Sequence, residues 1–115
     1  MSPRSWTIRI NDMIRSIDEA NSILKHNNAD EFKKDRAAVL AAVACVFILG
    51  EASNHIPESV KQKYSEIPWD QIRGMRNRVV HEYFEVDEDI VWATCKFDFV
   101  KLKPLLLKIT NTTNE

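Results

Sequence analysis

Three arginines, a histidine, an asparagine and a tyrosine fall within eleven residues, Arg73-Gly74-Met75-Arg76-Asn77-Arg78-Val79-Val80-His81-Glu82-Tyr83. A guanidinium is a planar fork that grips phosphate at two points. Histidine accepts a proton in its neutral form and donates one in its charged form. Asparagine can orient either group or donate to a developing oxyanion. Together these residue types suffice to cleave RNA without a metal. A base takes the 2′-hydroxyl proton, the freed oxygen attacks the adjacent phosphorus, and cations stabilise the crowded phosphorane. DNA lacks that hydroxyl and is inert at such a site. The same composition also suits a solvated helix face with an Arg78–Glu82 ion pair four residues apart.

Helical geometry sorts the segment. Steps of four put Arg73, Asn77 and His81 near one line, and a step of seven puts Arg76 and Tyr83 on another. Arg76 and His81 are five apart, about 140° round and about 7.5 Å along the axis. They share no face of one ideal helix. Their pairing is easier if the helix frays near His81, or if a second copy of the chain contributes its own set.

The elements that must position this segment follow from periodicity. Over residues 5–26, Trp6, Ile10, Met13, Ile14, Ile17, Ala20 and Leu24 recur at steps of three and four, one face of an amphipathic helix with Pro3 in its first turn. Asn28 and Glu31 read as a capping pair for a second helix over 30–54. Its charged first turns lead into a thirteen-residue apolar run, 37–49. A helix apolar all round must be covered on most sides, so part of it is expected to meet a second copy. The small residues Gly50 and Ala52 permit close approach of another helix. Residues 58–64 suit one or two short helical turns. A third helix is expected over 69–83, opened by Pro68. A fourth is expected over 88–109, begun by Asp87, Glu88 and Asp89, with Pro104 kinking or restarting it. Residues 110–115 read as a frayed polar tail.

Length and composition set bounds on the rest. The 115 residues are one domain's worth, residues 1–115 with a core over about 5–109. Two glycines are too few for an all-β fold with its many tight turns. Sixteen Lys and Arg against seventeen Asp and Glu leave a net charge of −1. Any contact with a polyanion therefore rests on a local patch rather than a global field. The apolar run is shorter than a membrane span of about 20 residues, and the N-terminus carries no signal-peptide pattern, so the expected location is cytoplasmic and off the membrane. Cys45 and Cys95 read as free buried thiols, and the scattered His26, His55 and His81 suggest no metal site. Trp6, Trp69 and Trp92 read as core or interface anchors rather than platforms for bases.

The segment from Arg76 to Tyr83 has the form R-x4-H-x-Y and resembles the HEPN superfamily signature, specifically the HepT-like toxins of HepT/MntA toxin–antitoxin systems. The likeness extends to ordered blocks at residues 48–52, 67–69, 74–77, 83–87 and 90–92, and covers about 5–109. The resemblance implies an all-α, four- to five-helix up-down bundle that is homodimeric, with both R-x4-H motifs meeting in a cleft. It implies a metal-independent ribonuclease toxin that needs no cofactor. Arg76 and His81 would be the catalytic pair, and Asn77 the polar helper. Arg73 and Arg78 would support the substrate phosphate. Glu51 would orient an arginine of the motif or carry a plain structural charge. Tyr83 would accept AMP from ATP through an MntA-like minimal nucleotidyltransferase, the antitoxin, so that a bulky anion blocks the RNA cleft. Relatives often have glycine before the tyrosine. Glu82 stands there instead, its charge either neutralised by Arg78 or weakening RNA affinity. The alternative is a non-catalytic module whose arginines hold a nucleotide or RNA, or dock the nucleotidyltransferase.

Overall fold

The computed structural model describes residues 3–82 and 85–113, all-helical with no strand among them. Seven helices follow in order: α1 (Pro3–Ile23), α2 (Ala29–Lys34), α3 (Arg36–Asn54), α4 (Glu58–Lys63), α5 (Trp69–His81), α6 (Glu88–Ala93) and α7 (Phe99–Thr113). A π-helical turn, Thr94–Asp98, joins α6 to α7. Four rods therefore make the bundle: α1, α3, α5 and the α6–α7 rod. Helix α1 packs on α3 and α7, and α3 packs on α5 and α6. The inward stripe of α1 (Ile10, Met13, Ile17, Ala20) is buried, and so are Trp6, Trp69 and Trp92, as core anchors.

The expected helix over 30–54 is two helices. Asp35 ends α2 and caps α3, its backbone extended and its carboxylate accepting the Ala38 N–H. The His26 ring hydrogen-bonds the same carboxylate at 3.0 Å. That bond first, and the Ala38 N–H second, hold the Asp35 carboxyl below the usual carboxylate range. The break turns α2 across the bundle, so that Phe32 is fully buried against Trp92, their ring centroids 5.4 Å apart. The capping pair forms as expected: Asn28 accepts the Glu31 N–H, and the Glu31 carboxylate accepts the Asn27 N–H. Asp87 likewise caps α6, accepting from Asp89 and Ile90.

Three further expectations are corrected. Helix α5 ends at His81, where Glu82 leaves helical geometry at φ −126° and ψ 34°. Pro104 does not restart the last helix as a new element. It lies within α7 on the solvent side, where Val100 is also exposed, so water can satisfy the carbonyl that proline leaves unbonded. Residues 110–113 continue α7 rather than fraying.

Helix α3 is the most apolar element, and by length and composition alone it could cross a membrane; 56% of that window is instead buried inside the bundle. Leu40, Ala44 and Ile48 remain exposed at steps of four, with Leu40 at 42% and Ile48 at 47%. This uncovered stripe runs toward Glu51. Cys45 and Cys95 are free and buried, and burial pushes their thiols up to about 11 and about 12.

Candidate functional site

The motif helix α5 leans chiefly on α3, and Arg76 ties the two together. Nε and Nη2 of Arg76 both donate to Oε2 of Glu51, at 3.0 and 2.8 Å. Nη1 donates to the Asn77 side-chain oxygen at 3.0 Å. The guanidinium also stands over the Phe47 ring, 5.6 Å from its centroid. Steps of four along α3 explain the arrangement, because they put Phe47, Glu51 and His55 on one line. The His55 ring nitrogen lies 3.9 Å from the other Glu51 oxygen.

Arginine has five N–H donors, and these contacts use three, which leaves two. Arg76 is 22% exposed, so its stem is packed while part of its fork reaches the surface. A guanidinium fixed on one edge by a carboxylate and partly open on another is preorganised to take a phosphate oxygen. The pair with Glu51 is half-exposed, so its direct contribution to stability is small, about 1 kcal/mol or less; what it fixes is the geometry.

His81 is exposed at the last position of α5, so the helix that presents Arg76 ends at the histidine. Its ring has no hydrogen-bond partner recorded among the described residues and is open to solvent. Arg73 is drawn back to Asp70 at 2.9 Å, in an exposed pair. Arg78, about 200° round the helix from Arg76, does not join the Glu51 cluster. No Arg78–Glu82 ion pair forms among the described residues; Glu82 instead gives its backbone N–H to the Arg78 carbonyl. Tyr83 lies outside the described residues.

Arg78 lines a different feature, a groove of about 560 Å³ where α5 and α7 stand apart over α3. Its floor includes Leu49, Met75 and Leu102, and its lining includes the exposed Arg78 and Lys101. The structure thus divides the motif arginines among three settings. Arg76 is locked to α3, Arg73 is held along its own helix, and Arg78 is in the groove.

Sequence reasoning did not foresee Phe47 beneath the guanidinium or His55 beside Glu51. The signal was available in part. Steps of four put Phe47, Glu51 and His55 on one helix line, so a role for Glu51 brings the other two beside it.

A family model described as HepT-like, "Ribonuclease HepT-like", matches residues 13–109. Among curated proteins, one from Methanocaldococcus jannaschii named "Putative RNase" is 34% identical over 98 residues, 85% of this chain and 81% of that protein. A second of the same name and organism is 32% identical over 104 residues, 90% of each chain. A protein from Thermococcus cleftensis named "Probable ribonuclease HepT" is 32% identical over 100 residues, 87% of this chain and 91% of that one. No solved structure matches the chain at a significant level.

Proposed function

The chain belongs to the HepT-like ribonuclease family, and from that premise we propose that it is a metal-independent ribonuclease and the toxin of a toxin–antitoxin pair, acting on RNA in the cytoplasm. The observation that supports this most is the Arg76 fork. It is anchored by Glu51 on one edge, with two donors to spare, on a helix that ends in the exposed His81.

The chemistry follows from those groups. Neutral His81 takes the proton of the ribose 2′-hydroxyl. The O2′ atom bonds to phosphorus, Arg76 and the Asn77 amide stabilise the added charge, and the bond from phosphorus to O5′ breaks. The products are a 2′,3′-cyclic phosphate and a 5′-hydroxyl. The leaving oxygen takes its proton from a protonated His81 or from water. Protein stripped of metal with a chelator should therefore cut a labelled RNA and leave the matching DNA intact. RNA that is bound but uncut would favour the non-catalytic module instead.

Two copies are part of the reading. The offset of about 140° between Arg76 and His81 is relieved when the motifs of two chains face one cleft. The exposed Leu40, Ala44 and Ile48 stripe leads directly to Glu51 and Arg76. Burying such a stripe against its own copy removes apolar surface and joins the two sites. Ile48→Asp should convert a dimer to a monomer by light scattering and lower cleavage with it. A variant that remains dimeric would place the interface elsewhere.

Control by the partner is read at Tyr83. A minimal nucleotidyltransferase transfers AMP from ATP: the Tyr83 hydroxyl oxygen bonds to the α-phosphorus and pyrophosphate leaves. Each adduct adds negative charge beside a phosphate site and repels RNA. Incubation with the cognate partner and ATP should raise the intact mass by one or more adenylyl groups and silence cleavage. Tyr83→Phe should abolish the gain. An unchanged gain in that variant would remove Tyr83 from the role.

A further inference from the structure

Both glycines of the chain lie inside helices, Gly50 in α3 and Gly74 in α5. Glycine is the poorest ordinary residue for a helix interior, so each position invites a reason. The two differ sharply. A Cβ built on Gly74 meets nothing within 4 Å. A Cβ built on Gly50 overlaps the Cβ of Arg76 outright and lies 2.8 Å from its Cγ. The Cβ is fixed to the backbone, so that overlap is relieved only if α5 and α3 move apart.

We infer that Gly50 is the positioning residue for Arg76: its missing side chain sets the separation of α3 and α5 at which Glu51 can hold the guanidinium by two N–H groups. The inference rests on the ribonuclease reading for its consequence but not for its geometry. Carbon atoms in contact sit about 3.5–4.0 Å apart. A methyl group at position 50 therefore drives α5 back by about 1 Å. The Glu51 contacts, at 2.8 and 3.0 Å, then stretch beyond hydrogen-bond range. A misplacement of that size at a reacting centre costs about 100-fold in rate. Gly50 and Glu51 thus act as a unit, one residue giving room for the arginine and the next holding it.

The test compares Gly50→Ala with Gly74→Ala in the full chain, with Arg76→Gly as a second background. Kinetics on a labelled RNA and melting temperature are measured for each. Gly74→Ala should raise the melting temperature and leave kcat within twofold. Gly50→Ala should lower kcat by about 100-fold with KM changed less than threefold, because Arg76 acts on charge that develops in the transition state. It should also lower the melting temperature. In the Arg76→Gly background the overlapping atoms are gone, so Gly50→Ala should raise the melting temperature instead. Cleavage within threefold of the native chain, or an equal loss of melting temperature in both backgrounds, would overturn the proposal. If Gly50→Ala alone does not fold, the double variant decides: folding supports the contact with Arg76, and failure to fold refutes it. If the native chain cuts no RNA, the ribonuclease reading falls, and the reversal in melting temperature alone judges Gly50.

Discussion

His81→Ala should reduce metal-free RNA cleavage by about 10²–10⁴-fold, the range that a lost general base commands. Arg76→Ala should cost about 10²–10³-fold, as when one preorganised donor to a developing oxyanion is removed. The two losses arise differently. His81 is exposed at a helix end, so its removal should leave the fold intact. Removing Arg76 leaves Glu51 only its looser contact with His55, at 3.9 Å, but Glu51 is 42% exposed and water can take over. Both variants should therefore keep their helical circular dichroism while losing activity. The double variant should lose little more than the worse single one, because the groups serve one transition state. Expression of the native chain alone should arrest growth, and either variant should relieve the arrest. Toxicity that survives in both would remove Arg76 and His81 from the chemistry.

Phe32→Ala should destabilise the fold by about 3–5 kcal/mol, the usual cost of truncating a buried phenylalanine. Phe32 is fully buried and sits between Trp92, at 5.4 Å, and His26, at 5.8 Å. It is the one buried residue of α2, and it fastens the corner between α1 and α3 to α6. The other ties there include the His26–Trp92 ring contact at 6.4 Å and the exposed Lys33–Asp89 ion pair at 3.1 Å, a far weaker contact. Against a total stability of about 5–15 kcal/mol, the variant should melt roughly 10–20 °C lower. A loss below about 1 kcal/mol in urea titration would show that the corner repacks and that α2 is not a core element.

These two variants mark what could be read from the residues alone. The helices carrying one apolar stripe, such as α1, announced themselves through spacing, and the side-chain caps at Asn28 and Asp87 through residue type. Asp35 was less visible. Its neighbours Lys33, Lys34 and Arg36 read as an exposed charged turn, and only its extended backbone reveals that it closes one helix and opens another. The π turn leaves no mark in composition. At the site, the motif named Arg76, His81 and Asn77, but the partner of Arg76 lies 25 residues away on another helix. Sequence offered Glu51 as one option of two. The division of Arg73, Arg76 and Arg78 among three settings depends on helix rotation and neighbours, which a linear pattern does not carry.

The gap between α5 and α7 has a mechanical consequence. A rod seated chiefly on one neighbour detaches when that one interface opens. Helix α5 should therefore open as a unit of its own, its amides exchanging with deuterium before those of α1 and α3. A molecule wedged into the gap should shift α5 while the rest of the bundle stays assembled.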